Sequence, residues 1–499
     1  MVTGVRGLDL ILGGGLEPGA VVVVAGAPGT GKTILAQQIC FAVGTTDHKG
    51  VYYSTVSEPD TKLVRHLEQF SFFDKGSLGS RVEHIHLGDF LRPARPEGLG
   101  PLVGEIVRKT LDEEPAVVVV DSAKMLRDFA AERELRGALY DLTGRFAETR
   151  TVLLLVGEYT AEELGSGVEF SLADGIIQLE YEAREPVDRR TLRVVKMRGG
   201  SSVPGRHTFQ IDTGGIRVFP RIETLVPAGV APVAGPISSG VPGLERLMPG
   251  GMRRGDASLV MGPSGVGKTT LALRWVTQGL EDGETCLFVT FQDTAQHLTE
   301  MGAAFGWDLN AAQADGRLVI SYVAMGDLDL DVLANSVRTN LDERPISRIA
   351  IDSLAELVLA DREWDRFPAY MRSLVGLVRA AGVSFLATSE TAGGAITSQS
   401  LEGLMFLFDN VFDLRYIEEQ SGLGRALNIV KMRNRAHAMT LNKVTITDGG
   451  LIVGDTLEGV TGRLGWSALR TQDPRYGTLV RPWVRRGRSG RYRSRGSGR

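Results

Sequence analysis

The sequence predicts an α/β protein of two tandem domains, each a mainly parallel β-sheet flanked by helices, followed by a basic tail. Three observations predict this. First, the apolar run Val21-Val22-Val23-Val24-Ala25 leads through a glycine-rich loop into Ile34-Leu35-Ala36-Gln37-Gln38, which reads as strand, tight turn, helix. Second, that order recurs much later in the chain, and other landmarks recur with it. Lys32 and Lys268 are 236 residues apart, Asp121 and Asp352 231, Glu158 and Glu390 232, Lys196 and Lys431 235. So constant an offset, far beyond solenoid length, marks duplication of a whole domain. Third, apolar strand-like runs alternate with amphipathic helical stretches in both copies, the pattern of a parallel sheet covered on both faces.

The two loops are Gly26-Ala27-Pro28-Gly29-Thr30-Gly31-Lys32-Thr33 and Gly262-Pro263-Ser264-Gly265-Val266-Gly267-Lys268-Thr269. Both match G-x-x-x-x-G-K-[ST], the phosphate-binding loop. Glycines let the backbone turn tightly enough for successive N–H groups to face phosphate oxygens, and the helix start adds its positive end. Lys32 and Lys268 are expected along the β- and γ-phosphates, with the Thr33 and Thr269 hydroxyls on magnesium.

In the first copy, Val51-Tyr52-Tyr53-Ser54-Thr55 reads as a second strand, followed by a helix from Asp60 to Phe70. Val117-Val118-Val119-Val120-Asp121 is a buried strand ending in an acid, the Walker B arrangement that holds magnesium through water. Leu135, Leu139, Leu142 and Phe146 mark an amphipathic helix before the strand Val152–Val156. The second copy repeats this with Cys286–Phe291, Ile349-Ala350-Ile351-Asp352, the helical face Phe367, Met371, Leu374 and Val378, and the strand Val383–Ala387. The expected organisation is a first domain at 1–225, a linker at 226–236, a second domain at 237–455 and a C-terminal extension at 456–499, disordered from about Gly487.

The 499 residues carry a net charge of -4, with an uneven distribution. Nine arginines and no acid follow Asp473, leaving about -13 on the residues before it. The body therefore lacks a basic nucleic-acid footprint, and only the tail offers one. Cys40 and Cys286 stand alone, which disfavours a zinc ribbon or a disulfide framework. No apolar run approaches the roughly 20 residues of a membrane helix, and the first residues lack signal-peptide architecture. A cytoplasmic protein without a membrane partner is expected.

With these residues in view, the chain resembles the KaiC family of RecA-like ATPases over roughly residues 1–455. The resemblance is carried by Gly7-Leu8-Asp9…Gly13-Gly14-Gly15-Leu16, both phosphate loops, Asp121-Ser122, Asp352-Ser353, and Lys-Met-Arg at 196–198 and 431–433. It implies two stacked RecA-like lobes, ATP and Mg2+ as ligands, and a homo-hexameric double ring with nucleotide between neighbours. It also implies that Lys196, Arg198, Lys431 and Arg433 reach the γ-phosphate of the adjacent chain, where cations stabilise the transferring phosphoryl group.

The sequence departs from that pattern in three places. The glycine that follows Lys-x-Arg in the family is kept as Gly199 but is Asn434 in the second copy. The family's paired glutamates after the second strand fall here on Ser57-Glu58 and Gln292-Asp293, so the first carboxylate is missing from both copies. Glu58 and Asp293 remain as candidate catalytic groups, and Gln292 can orient a water without accepting its proton. The phosphorylated Ser-Thr pair of the family's clock members falls on Met405-Phe406. The leading expectation is thus a slow Mg-dependent ATPase whose nucleotide state controls ring assembly and a signalling protein partner. The alternatives are a KaiC-type serine/threonine autokinase, a RecA/RadA-like DNA-handling ATPase using the arginine tail, and a scaffold that binds ATP without turning it over.

Overall fold

The computed structural model describes residues 1–54, 60–87, 99–160, 162–165, 167–183, 188–225, 235–360, 366–390, 403–419 and 422–458, with backbone alone for 60–63 and 360. Expectations that fall on Ser57, Glu58, most of the linker and the arginine tail lie outside the described residues.

The first lobe contains β1 (Val21–Gly26), β2 (Gly50–Ser54), β3 (Val82–His86), β4 (Val117–Asp121), β5 (Val152–Glu158), β6 (Gly175–Glu182), β7 (Arg189–Met197), β8 (His207–Asp212) and β9 (Gly215–Phe219). They form one sheet in the order β3-β2-β4-β5-β1-β6-β7-β8-β9. The strands through β6 run parallel, and β6 to β9 form an antiparallel meander. After the short pair β10 (Pro236–Ile237) and β11 (Met252–Arg253), the second lobe repeats the order. Its strands are β12 (Ala257–Gly262), β13 (Thr285–Thr290), β14 (Leu318–Tyr322), β15 (Ile346–Asp352), β16 (Ser384–Glu390), β17 (Asn410–Glu419), β18 (Gly422–Met432), β19 (Asn442–Thr447) and β20 (Gly450–Thr456). The pairing of Pro236 means that ordered second-lobe structure starts inside the expected linker.

The unbroken valine runs follow from burial on both faces. Val22 and Val24 of β1, with Val117 and Val119 of β4, pack against the Lys32–Val43 helix; Val21, Val23, Val118 and Val120 face the helices Gly100–Glu113 and Glu132–Phe146. A parallel sheet with both faces covered has no use for alternating polar residues. The second lobe has the same two-sided core, filled on one side around Trp275 and on the other by Phe385, Met371 and Leu374.

The lobes touch through a mixed seam. Ile222, on a short 3-10 turn that ends the first lobe, is buried in the second lobe's core. Around it, Arg366 pairs with Glu223 at 2.6 Å and with the fully buried Asp331. Thr208 of β8 also reaches Asp331 at 3.2 Å, and Asn335 Nδ2 donates to the Pro220 carbonyl at 2.9 Å.

Candidate nucleotide sites

Each candidate site is assembled where strands of a parallel sheet end, the position at which such sheets bind ligands. Gly26 closes β1 and Gly262 closes β12. A Cβ at Gly26 would lie 2.3 Å from the Leu179 carbonyl oxygen on the neighbouring strand, and one at Gly262 would lie 2.4 Å from that of Leu414. Only glycine allows that approach. Gly31 and Gly267 have a different reason: both adopt left-handed φ, 96° and 112°, at the first cap of the following helix.

The lysines behave alike. Lys32 Nζ donates to the Ala27 carbonyl at 2.7 Å, and Lys268 Nζ to that of Pro263 at 2.9 Å. Burial pulls both ammonium pKa values down, and nearby carboxylates oppose the shift: Glu158 and Asp121 for Lys32, Glu390, Asp352 and Glu356 for Lys268.

The structure brings together the residues expected to hold magnesium. Thr33 Oγ1 donates to Asp121 Oδ2 at 2.8 Å, and Thr269 Oγ1 to Asp352 Oδ2 at 2.6 Å. A hydroxyl beside one carboxylate suits Mg2+, a hard cation that keeps most of its waters and takes one or two protein oxygens with substrate phosphates. The second partner of each acid differs. Tyr52 donates to Asp121 at 2.6 Å, whereas Thr388 donates to Asp352. Burial raises the Asp352 carboxyl above the usual range, although both threonine hydrogen bonds favour its ionised form.

In the first lobe these groups line a cleft of about 950 Å3 that includes Lys32, Thr33, Tyr52, Asp121, Glu158 and Arg190. Glu158, a landmark of the repeat without an assigned role in the sequence, pairs in register with Gly26, and Glu390 does so with Gly262. Each loop therefore has a glutamate beside it.

The Lys-x-Arg pairs stand elsewhere. Lys196 Nζ donates to the Phe170 and Ser171 carbonyls, and Lys431 Nζ to those of Met405 and Phe408. Arg198 lies 3.6 Å from Asp174, and Arg433 lies 3.8 Å from Asp409. Those aspartates receive the backbone N–H at the start of β1 and of β12, at 3.1 and 3.0 Å. Arg198 and Arg433 thus sit at the opposite end of the sheet from their own phosphate loop, about 17 Å away along a six-residue strand. Lys196 and Lys431 stand in register with Val23 and Leu259, three residues short of Gly26 and Gly262, with their ammonium groups turned to carbonyls at that same far end. The structure does not bring them to the nucleotide cleft of their own lobe.

The remaining candidates separate. Asp293 faces His297 at 3.6 Å, while Gln292 Nε2 donates to Glu356. Glu356 was not singled out from the sequence. Ser353-Leu354-Ala355-Glu356 has the spacing of a helix-capping box, which was the available signal. Met405 and Phe406 occupy a 3-10 turn with Phe406 exposed.

A duplicated sheet of this order, each copy with a phosphate loop after its central strand, defines a tandem P-loop nucleotide-binding protein. A family model described as "ATPase: KaiC" matches residues 1–223 and again 237–458. The chain belongs to the KaiC family of ATPases, and its lobes are tandem RecA-like domains. It is 25% identical over 475 residues to the circadian clock oscillator protein KaiC of Parathermosynechococcus lividus, covering 92% of this chain and 86% of that relative. It is likewise 25% identical over 487 residues to the circadian clock protein KaiC3 of a Synechocystis species, covering 94% of each. Among the described residues no helix is long and apolar enough to cross a membrane.

Proposed function

We propose that this KaiC-family ATP-binding protein is a slow, Mg-dependent ATPase whose nucleotide state controls assembly of a homo-hexameric ring and its engagement of a signalling protein in the cytoplasm. ATP binds at Gly26–Thr33 and Gly262–Thr269. Thr33 with Asp121, and Thr269 with Asp352, would hold Mg2+, which supplies charge neutralisation at the β- and γ-phosphates. The observation that carries the ring is the placement of Lys196, Arg198, Lys431 and Arg433. Their side chains turn away from the loops of their own lobes, so a γ-phosphate they reach belongs to another loop, which a neighbouring chain in a ring would supply. The absence of the first carboxylate at Ser57 and Gln292 supports slow turnover, since neither side chain accepts a proton near neutral pH. Met405 and Phe406 lack the hydroxyl that a KaiC-type autokinase would phosphorylate at that register, so hydrolysis is favoured over self-phosphorylation.

Native mass of the full chain, with and without ATP and Mg2+, tests this reading. The expected outcome is a hexamer that requires nucleotide and is weakened by Lys32→Ala and by Lys268→Ala, each of which lowers ATP affinity at its own loop. A mass indifferent to ATP and to both substitutions would refute ring control.

A further inference from the structure

Four residues past its Walker B aspartate the second lobe holds a carboxylate, Glu356, where the first lobe has Met125. Gln292 follows β13, and its Nε2 donates to Glu356 Oε1. Ser353 Oγ donates to Glu356 Oε2 at 2.5 Å. Glu356 is buried, and its charge acts on both Lys268 and Asp352, so it stands within the field of the phosphate loop. In an ordinary capping box this glutamate would return to the N–H of Ser353. Here one oxygen takes the serine hydroxyl and the other turns to a residue 64 positions away. At the same distance past Asp121, the first lobe has Met125, an exposed residue lining its cleft.

The contact has a directional consequence. Both oxygens of Glu356 accept, so Gln292 must present its NH2 group to it. The amide oxygen of the exposed Gln292 side chain is thereby turned away from Glu356, fixed as an acceptor. A glutamine held this way can align a water without removing its proton.

We propose that Glu356 is a positioning residue of the second nucleotide site: it locks Gln292 so that its amide oxygen holds the attacking water in line with the γ-phosphate, an amide–carboxylate pair for which the first copy of the sequence has Ser57 and Met125. This rests on the reading of Gly262–Thr269 as an ATP site. In the step served, the water oxygen bonds to the γ-phosphorus, the bond from that phosphorus to the bridging oxygen breaks and ADP leaves. The water's proton goes to the phosphate released. Glu356 acts only through Gln292.

The test uses the full chain with Lys32→Ala, so that only the second loop is loaded. ATP hydrolysis is measured together with affinity for ATP and for ADP–aluminium fluoride, which mimics the in-line transition state. Glu356→Ala is expected to lower kcat about tenfold or more, with KM within about twofold, and to weaken ADP–aluminium fluoride relative to ATP by a similar factor. Gln292→Ala should do the same, and the double variant should be no slower than Gln292→Ala alone. Gln292→Glu in the Glu356→Ala background should recover the rate, because a carboxylate at 292 needs no locking. An unchanged kcat, losses that multiply in the double variant, or a fall in melting temperature with no change in kcat would each overturn the proposal and leave Glu356 a helix cap. If the parent binds ATP but does not hydrolyse it, equal ADP–aluminium fluoride affinity in parent and Glu356→Ala overturns it equally. A parent that binds no ATP refutes the underlying site as well.

Discussion

At the scale of single residues, the two sites share a frame and differ in its trimmings. Gly26 and Gly262 are forced by a neighbouring carbonyl, and Lys32 and Lys268 curl onto the same carbonyl of their loops. The acids diverge, Asp121 resting on a tyrosine and Asp352 on a second threonine. Thr269→Val tests the magnesium assignment directly. It removes the hydroxyl 2.6 Å from Asp352 while keeping the shape of the side chain. In the Lys32→Ala chain, Mg2+-dependent strengthening of ATP binding should fall severalfold, with affinity in EDTA unchanged; calorimetric titration in both buffers reads the difference.

At the scale of elements, burial sets both stability and reactivity. Cys40 lies on the helix after the first phosphate loop, and Cys286 lies on β13; both are buried, and desolvation pushes both thiols up to about 12. Burial penalises the thiolate, so the reactive form is scarce at pH 8. Iodoacetamide at that pH is expected to label neither cysteine in the native chain and both after unfolding, as read by mass spectrometry. Which elements were legible in the sequence follows from the same physics. The valine strands and the two loops are local patterns, and their repetition at one offset told the copies apart from chance. The antiparallel half of each sheet leaves no such local pattern. Arg189–Met197 mixes charged and apolar residues because Leu192 and Val194 turn to the core while Arg193 and Val195 between and after them turn to solvent, and Arg189 at its start reaches Asp329 of the second lobe. Glu356 was hidden for a related reason: its role depends on Gln292, and nothing in a four-residue capping signature announces a partner so far along the chain.

At the scale of the whole molecule, the lobes are joined by a buried charge cluster as well as by apolar contact. Arg366 answers both Glu223 of the first lobe and Asp331 of the second, and burial raises the Asp331 carboxyl despite that neighbour. Removing the cation takes the partner from Glu223 and leaves Asp331 with Arg189 at 3.5 Å and the Thr208 hydroxyl at 3.2 Å, a change that costs at most about 3–5 kcal/mol. Arg366→Met is therefore expected to lower the melting temperature and to split one calorimetric transition into two, one for each lobe. A single unshifted transition would mean that the seam does not couple them. The 3-10 turn carrying Ile222 bears on how this protein can be taken apart. The repeat suggests scissors between residues 223 and 237, but the first copy's last turn is a plug in the second copy's wall. A fragment begun at 237 would start life with an open hydrophobic socket, prone to recruit whatever apolar segment it meets. The unit of duplication and the unit that can stand alone are cut at different places, and a durable second-lobe fragment has to bring residues from before Ile222 with it.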